Sequence, residues 1–127
     1  FIANGFIYGD GPDGIPQWEL LGKNIGMLAK NFHEADYNVI INGYINEPAW
    51  ENIQKYVTLD CKILLLPHLD ALEQRDADRQ DGYRMGAEAT ARHHGYFSTS
   101  TFYNDFVKID SAEHSIDETI NEIKGLL

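Results

Sequence analysis

A chain of 127 residues is long enough for one domain with one sizeable core, burying roughly two-thirds of its unfolded surface. With 20 acidic against 10 basic side chains and a formal charge of −10, it repels polyanions, which argues against nucleic acid as a general partner. A single cysteine, Cys61, excludes an internal disulfide framework, and no apolar run reaches the roughly 18 to 20 residues that span a bilayer. No signal-peptide pattern or Cys/His zinc spacing is visible, so the expectation is a soluble protein of the reducing cytoplasm with no membrane partner.

The chain opens on FIANGFIYGD, where Phe6-Ile7-Tyr8 reads as a strand ending at Gly9-Asp10. Because the first residue is Phe1 rather than methionine, the chain is expected to be a fragment, a processed product or a chain lacking its beginning. The turn-rich GDGPDGIP follows, then a helix from about Gln17 to His33 with Trp18, Leu21, Ile25, Leu28 and Phe32 on its buried face. Tyr37 to Asn42, YNVIIN, is a β-branched apolar run suited to an interior parallel strand. The loop NGYINE leads to a short helix with Pro48 at an early position.

Lys62 to Leu66 reads as the next strand, stopped by Pro67, with a helix from about Leu69 to Gln80. Gly82 to Thr101 is ambiguous: a helix near Gly86 to His94 and then the polar GYFSTSTFYN. Phe106 to Asp110 is the final strand. The last helix is the best signalled, with Ser115 as N-cap, Glu118 completing a capping box, and Ile116, Ile120, Ile123 and Leu127 on one face. Strands separated by helices argue for a single α/β domain: a parallel sheet with helices on both faces, burying Phe6, Val39 to Ile41, Ile63 to Leu65 and Val107. Ligand groups in such a sheet gather at the carboxyl ends of the strands, where Asp10, Asn42 and Pro67-His68 fall.

Chemistry is concentrated between Lys62 and Arg84, KILLLPHLDALEQRDADRQDGYR. A strand leading into a loop and a helix with several cations is how α/β proteins clamp phosphate groups. The complementary phosphate-cradling loop G-x-x-x-x-G-K-[ST] does not occur: the only Gly-Lys pair, Gly22-Lys23, is followed by Asn24, and Gly14 lies at the wrong distance.

The order FIYGD, a Trp-containing helix, NVIING, ILLLP-x-L-x-A-L-x-x-R-D-x-x-R and VKIDSAEHSIDETINEIKGLL resembles the small-molecule P-loop kinases, the group of chloramphenicol phosphotransferase, gluconate kinase and shikimate kinase. The resemblance implies a P-loop NTPase-like fold whose first strand, phosphate loop and first helix would lie upstream of Phe1. It implies an ATP-dependent phosphotransferase acting on a small hydroxylated acceptor, incomplete or inactive as this chain. ATP and Mg²⁺ are expected for a complete form, with no cofactor assigned to the chain as it stands. The alternative is a non-catalytic binding or oligomerising protein derived from that scaffold, including a homo-oligomer in which a second chain covers an exposed sheet edge.

By the same resemblance Asp10 is the carboxylate that faces the acceptor and orients or deprotonates its hydroxyl, in competition with a plain role in the GDGPDG turn. Arg75 and Arg79, four apart on one helix face, match the R-x-x-x-R that brings positive charge to the transferring phosphoryl group, and Arg84 joins them from the lid to hold the nucleotide. Their competing reading is a solvated helix with surface ion pairs to Asp76, Asp78 and Asp81. Arg92 is a weaker lid candidate. Asn42 stands where many relatives carry an Asp that contacts magnesium or substrate; Asn is a poor ligand for a hard cation and cannot act as a base, and a structural turn residue is the favoured reading. His68 and His93-His94 lack metal-site spacing and read as surface histidines, and no metal ligand is assigned. Tyr96, Phe97, Phe102 and Tyr103 suit either stacking on a ligand or sealing the core, and the second is favoured.

Overall fold

The computed structural model describes residues 13–80 and 82–127, and these divide into two compact units with the boundary between Leu59 and Asp60. The strand expected at Phe6 to Gly9 lies outside the described residues.

In the first unit, α1 (Ile15–Glu34) begins at Gly14 with Pro16 in its opening turn, where the missing N–H is not needed. It ends in a Schellman closure. Asp36 adopts φ 65°, its N–H bonds to the His33 carbonyl at 3.0 Å, and the Tyr37 N–H bonds to the Phe32 carbonyl at 3.1 Å. The Phe32 and Tyr37 rings meet edge to face, 5.8 Å between centroids, and supply the apolar contact such closures carry. The second helix, α2 (Glu47–Ile53), is capped by Asn46, whose buried side chain accepts from the Ala49 N–H at 3.3 Å.

The expected face of α1 packs in its first half, at Trp18, Leu21 and Ile25, but not in its second. Leu28 is 59% and Phe32 48% exposed, whereas Trp18, Gly22, Gly26 and Ala29 are buried. Glycine at 22 and 26 lets the α2 backbone lie directly on α1. A Cβ on Gly22 would overlap the Ala49 carbonyl oxygen and fall 2.8 Å from Ala49 Cα, and one on Gly26 would sit 3.0 Å from the Ile53 carbonyl oxygen. Trp18, Ile45, Ala49 and Ile53 fill the core around this seam, flanked by Leu21 and Ile25.

The second unit is built on a parallel pair, β1 (Ile63–Leu65) and β2 (Val107–Ile109), in register Ile63↔Val107, Leu64↔Lys108 and Leu65↔Ile109. Parallel strands cannot be joined by a tight turn, so the chain crosses over through α3 (Leu69–Ala77), α4 (Ala87–Thr99) and the 3₁₀ segment Thr101–Asp105. Tyr103, fully buried, is the hub of its core. Its ring lies 5.1 Å from those of Phe97, Phe102 and Phe106 and 6.0 Å from Tyr96, in tilted or edge-on contacts. The aromatic set thus seals the core, as the favoured sequence reading has it. Lys62 pairs with Asp105 and lies over the Phe106 ring at 5.4 Å, and its cation holds the Asp105 carboxyl below its ordinary range. The chain closes with α5 (Ile116–Lys124), whose capping box between Ser115 and Glu118 has both bonds formed.

The expected multi-stranded parallel sheet covered on both faces is corrected by these elements. Helix makes up 55% of the described residues, and their one sheet is the two-stranded β1–β2 pair, so the architecture is mainly helical rather than P-loop NTPase-like. The difference has a local cause: the Tyr37 N–H is spent on closing α1, and 37–42 runs on without a ladder partner, leaving Val39 40% and Ile40 87% exposed. Leu65 at 47% and Val107 at 42% exposure likewise depart from the buried strands expected.

Replacing Gly22 with Ala gains about 1 kcal/mol of helix propensity but overpacks a contact with backbone, which cannot rotate away, at a cost of about 1 to 3 kcal/mol. The second effect is larger. Gly22→Ala is therefore expected to lower the urea midpoint of the first unit and Gly26→Ala to lower it less; a rise for Gly22→Ala would contradict the seam.

Candidate functional site

The sequence candidates fall at three places. Asp10 lies outside the described residues. Asn42 is exposed in the first unit, in the segment between α1 and α2, where it belongs to no strand. The three arginines all belong to the second unit, and the crossover between β1 and β2 disposes of them differently.

At the carboxyl ends of β1 and β2, Pro67 is buried and His68 caps α3, its Nδ1 accepting from the Ala71 N–H at 3.3 Å. Beyond β2, Asp110 accepts from the N–H groups of Ala112 at 3.0 Å and His68 at 3.3 Å, tying the two strand ends together. Arg75 reaches across from α3. Its Nη2 donates to the carbonyls of Ser111 at 2.7 Å and Ala112 at 3.3 Å. Its charge thereby fixes the chain leaving β2. It also lines an open depression of about 420 Å³ whose walls are Leu65, Ile116, Ile120 and Ile123.

Arg79 and Arg84 both belong to the loop between α3 and α4, linked through the Arg79 backbone. Arg84 Nε donates to the Arg79 carbonyl at 2.8 Å, bridging the loop, while Arg79 Nη1 lies 3.5 Å from Asp76 Oδ1. Arg92 sits on an exposed position of α4.

The residue that organises this loop is Asp76, which sequence reasoning cast only as a surface ion-pair partner. It is 7% exposed, and its carboxylate accepts from the N–H of Met85 at 2.9 and 3.1 Å and of Gly86 at 2.7 Å. Gly86 is the N-cap of α4 with φ 88°, a conformation that favours glycine, so the carboxylate on the last turn of α3 also sits at the positive end of α4. In the sequence Asp76 opposes its own helix's dipole, but Asp78 at the C-cap does the same, so that feature alone does not single it out.

Hydrogen bonds from Met85 and Gly86 hold the Asp76 carboxyl below its ordinary value, with Arg79 and Arg84 adding to this and burial opposing it. Among the described residues, no group of three His, Cys, Asp or Glu side chains is gathered to hold a metal ion, and no helix is long and apolar enough to cross a membrane.

Searches against protein-family models, curated proteins and solved structures found no match to this chain.

Because the Asp76 pKa is depressed in the folded state, its contribution to stability is present above the unfolded value of about 4 and lost as pH falls through the lower folded one. Exchange protection of the Met85 and Gly86 amides is accordingly expected to be level from pH 7 to about 4 and to fall below that. Asp76→Asn should remove the acid-dependent step; its persistence in that variant would assign the step to another group.

Proposed function

We propose that this chain belongs to a phosphotransfer domain, incomplete or inactive by itself, that moves the γ-phosphoryl group of ATP to a small hydroxylated acceptor. The observation that carries the reading is the loop between α3 and α4, where Arg79 and Arg84 are linked by a backbone bond and anchored by a carboxylate. Two arginines carried by one short loop in an otherwise acidic chain suit a transferring phosphate, whose charge spreads over several oxygens. The resemblance of R-D-x-x-R and its surroundings to small-molecule kinases supports the same assignment and gives Asp10 the acceptor-facing role.

The donor set fits the nucleotide and the metal unequally. Arg79 and Arg84 suit ATP phosphates, with ATP supplying the phosphoryl group. For Mg²⁺ the described residues gather no ligand cluster, so no step is assigned to it. Arg75 takes a positioning part, since its Nη2 hydrogen bonds go to the backbone that follows β2.

Without G-x-x-x-x-G-K-[ST] in the sequence, the arginines alone are expected to hold Mg-ATP no better than millimolar, about 4 kcal/mol. Titration of Mg-ATP followed by ³¹P NMR should show this weak binding, reduced further in Arg79→Ala and lost in the Arg79→Ala/Arg84→Ala double variant. Affinity that is unchanged in the double variant would overturn the reading.

A second reading, a non-catalytic self-associating protein, draws on α5. It buries none of its residues, with Ile116 80% and Ile120 41% exposed. Sedimentation equilibrium separates the two: a concentration-dependent dimer abolished by Ile116→Lys favours self-association, and a monomer at all concentrations removes it.

A further inference from the structure

Asp76 does something that an ordinary helical ion pair does not. An exposed pair three residues apart contributes little, and the 3.5 Å contact with Arg79 would be one of these if it stood alone. Instead the carboxylate takes both N–H groups of the Met85–Gly86 step, at 2.7 to 3.1 Å, and is itself withdrawn from solvent. One side chain therefore grips the start of the arginine loop, through α3 and Arg79, and its end, through the cap of α4. Between these points Gly82 at φ 92° and Gly86 at φ 88° allow the backbone to turn back, and Arg84 Nε closes the span on the Arg79 carbonyl.

We infer that Asp76 is the positioning residue of this loop: its carboxylate fixes both loop ends and, with them, the backbone from which Arg79 and Arg84 reach a phosphate group. The ligand in this statement rests on the phosphotransfer reading above; the geometry does not.

Sign separates positioning from plain electrostatics. Asp76 is a negative charge beside Arg79, and neutralising it should by Coulomb attraction alone tighten the binding of any anion. If Asp76 acts by position, Asp76→Asn keeps only one accepting oxygen and sets an NH₂ donor against a backbone N–H, which loosens the loop and weakens the binding.

The experiment compares the whole chain with Asp76→Asn and Asp76→Glu at pH 7, using inorganic triphosphate as the probe. In the unliganded protein, the Arg84 Nε–H is expected as a resolved, exchange-protected ¹⁵N-correlated signal. It should be lost in Asp76→Asn and weakened in Asp76→Glu, which keeps the charge but displaces it by a methylene. Triphosphate affinity should fall about tenfold in Asp76→Asn and by less in Asp76→Glu. Retained ring-current shifts around Tyr103 report that the unit still folds; if Asp76→Asn does not fold, Asp76→Glu carries the comparison. A protected Arg84 Nε–H in Asp76→Asn, or tighter triphosphate binding by it, overturns the inference. Failure of the unsubstituted chain to bind triphosphate sinks the phosphotransfer reading, and the Nε–H comparison then decides the role of Asp76 by itself.

Discussion

The parallel sense of the β1–β2 pair constrains everything else in the second unit. Two antiparallel strands need only a turn, but two parallel strands oblige the chain to travel from one end of the pair back to the other. Here the return runs through α3, α4 and the 3₁₀ segment Thr101–Asp105, with rings of α4 and of the 3₁₀ segment packed on the buried ring of Tyr103. The arginines ride on this obligatory path. Their neighbourhood follows from topology: α3 leaves the carboxyl end of β1, and Arg75 on it meets the chain emerging from β2 at Ser111.

Energetically the carboxylates of this unit fall into different kinds. Asp105 is an exposed partner of Lys62, and Glu118 serves the capping box of its own helix, where the Ser115 N–H and hydroxyl hold its carboxyl below the usual range. Asp76 alone among these three is withdrawn from solvent and bonds to backbone belonging to a different helix. Water can replace an exposed partner at little cost, whereas the Asp76 carboxylate takes two backbone N–H groups at once and ties the end of one helix to the start of the next. That asymmetry is why a single acidic residue governs the α3–α4 connection while its neighbours do not.

The sequence was legible wherever a local rule determined the outcome. Ser115 with Glu118, Pro48 in the first turn of α2, Pro67 as a stop after ILLL, and the strand VKI all act through the nearest few residues, and each stands close to where its chemistry puts it. Tyr37 to Asn42 illustrates the limit. Its β-branched composition favours a strand, but a strand exists only with a partner, and Tyr37 is committed to the end of α1. In α1 the large apolar residues marked one stripe, whereas the closest packing went to Gly22 and Gly26 because what had to fit there was another backbone. For the site, charge spacing located the arginines, but only a contact ten residues away, from Asp76 to Gly86, assigned them a common loop.

The capping box of α5 carries a consequence for how this unit comes apart. A nine-residue helix is below the length at which helices persist in water on propensity alone, and α5 buries none of its residues. Its order rests on bonds within its own first turn and at Gly125, where the N–H bonds to Asn121 and Glu122. Such an element opens with a free energy far smaller than that of the core around Tyr103, so α5 forms the least protected cooperative segment of the unit. Loss of α5 exposes the apolar side of Leu65 further while the β1–β2 ladder persists, and a protease acting on the native protein would cut within α5 before it cut the crossover.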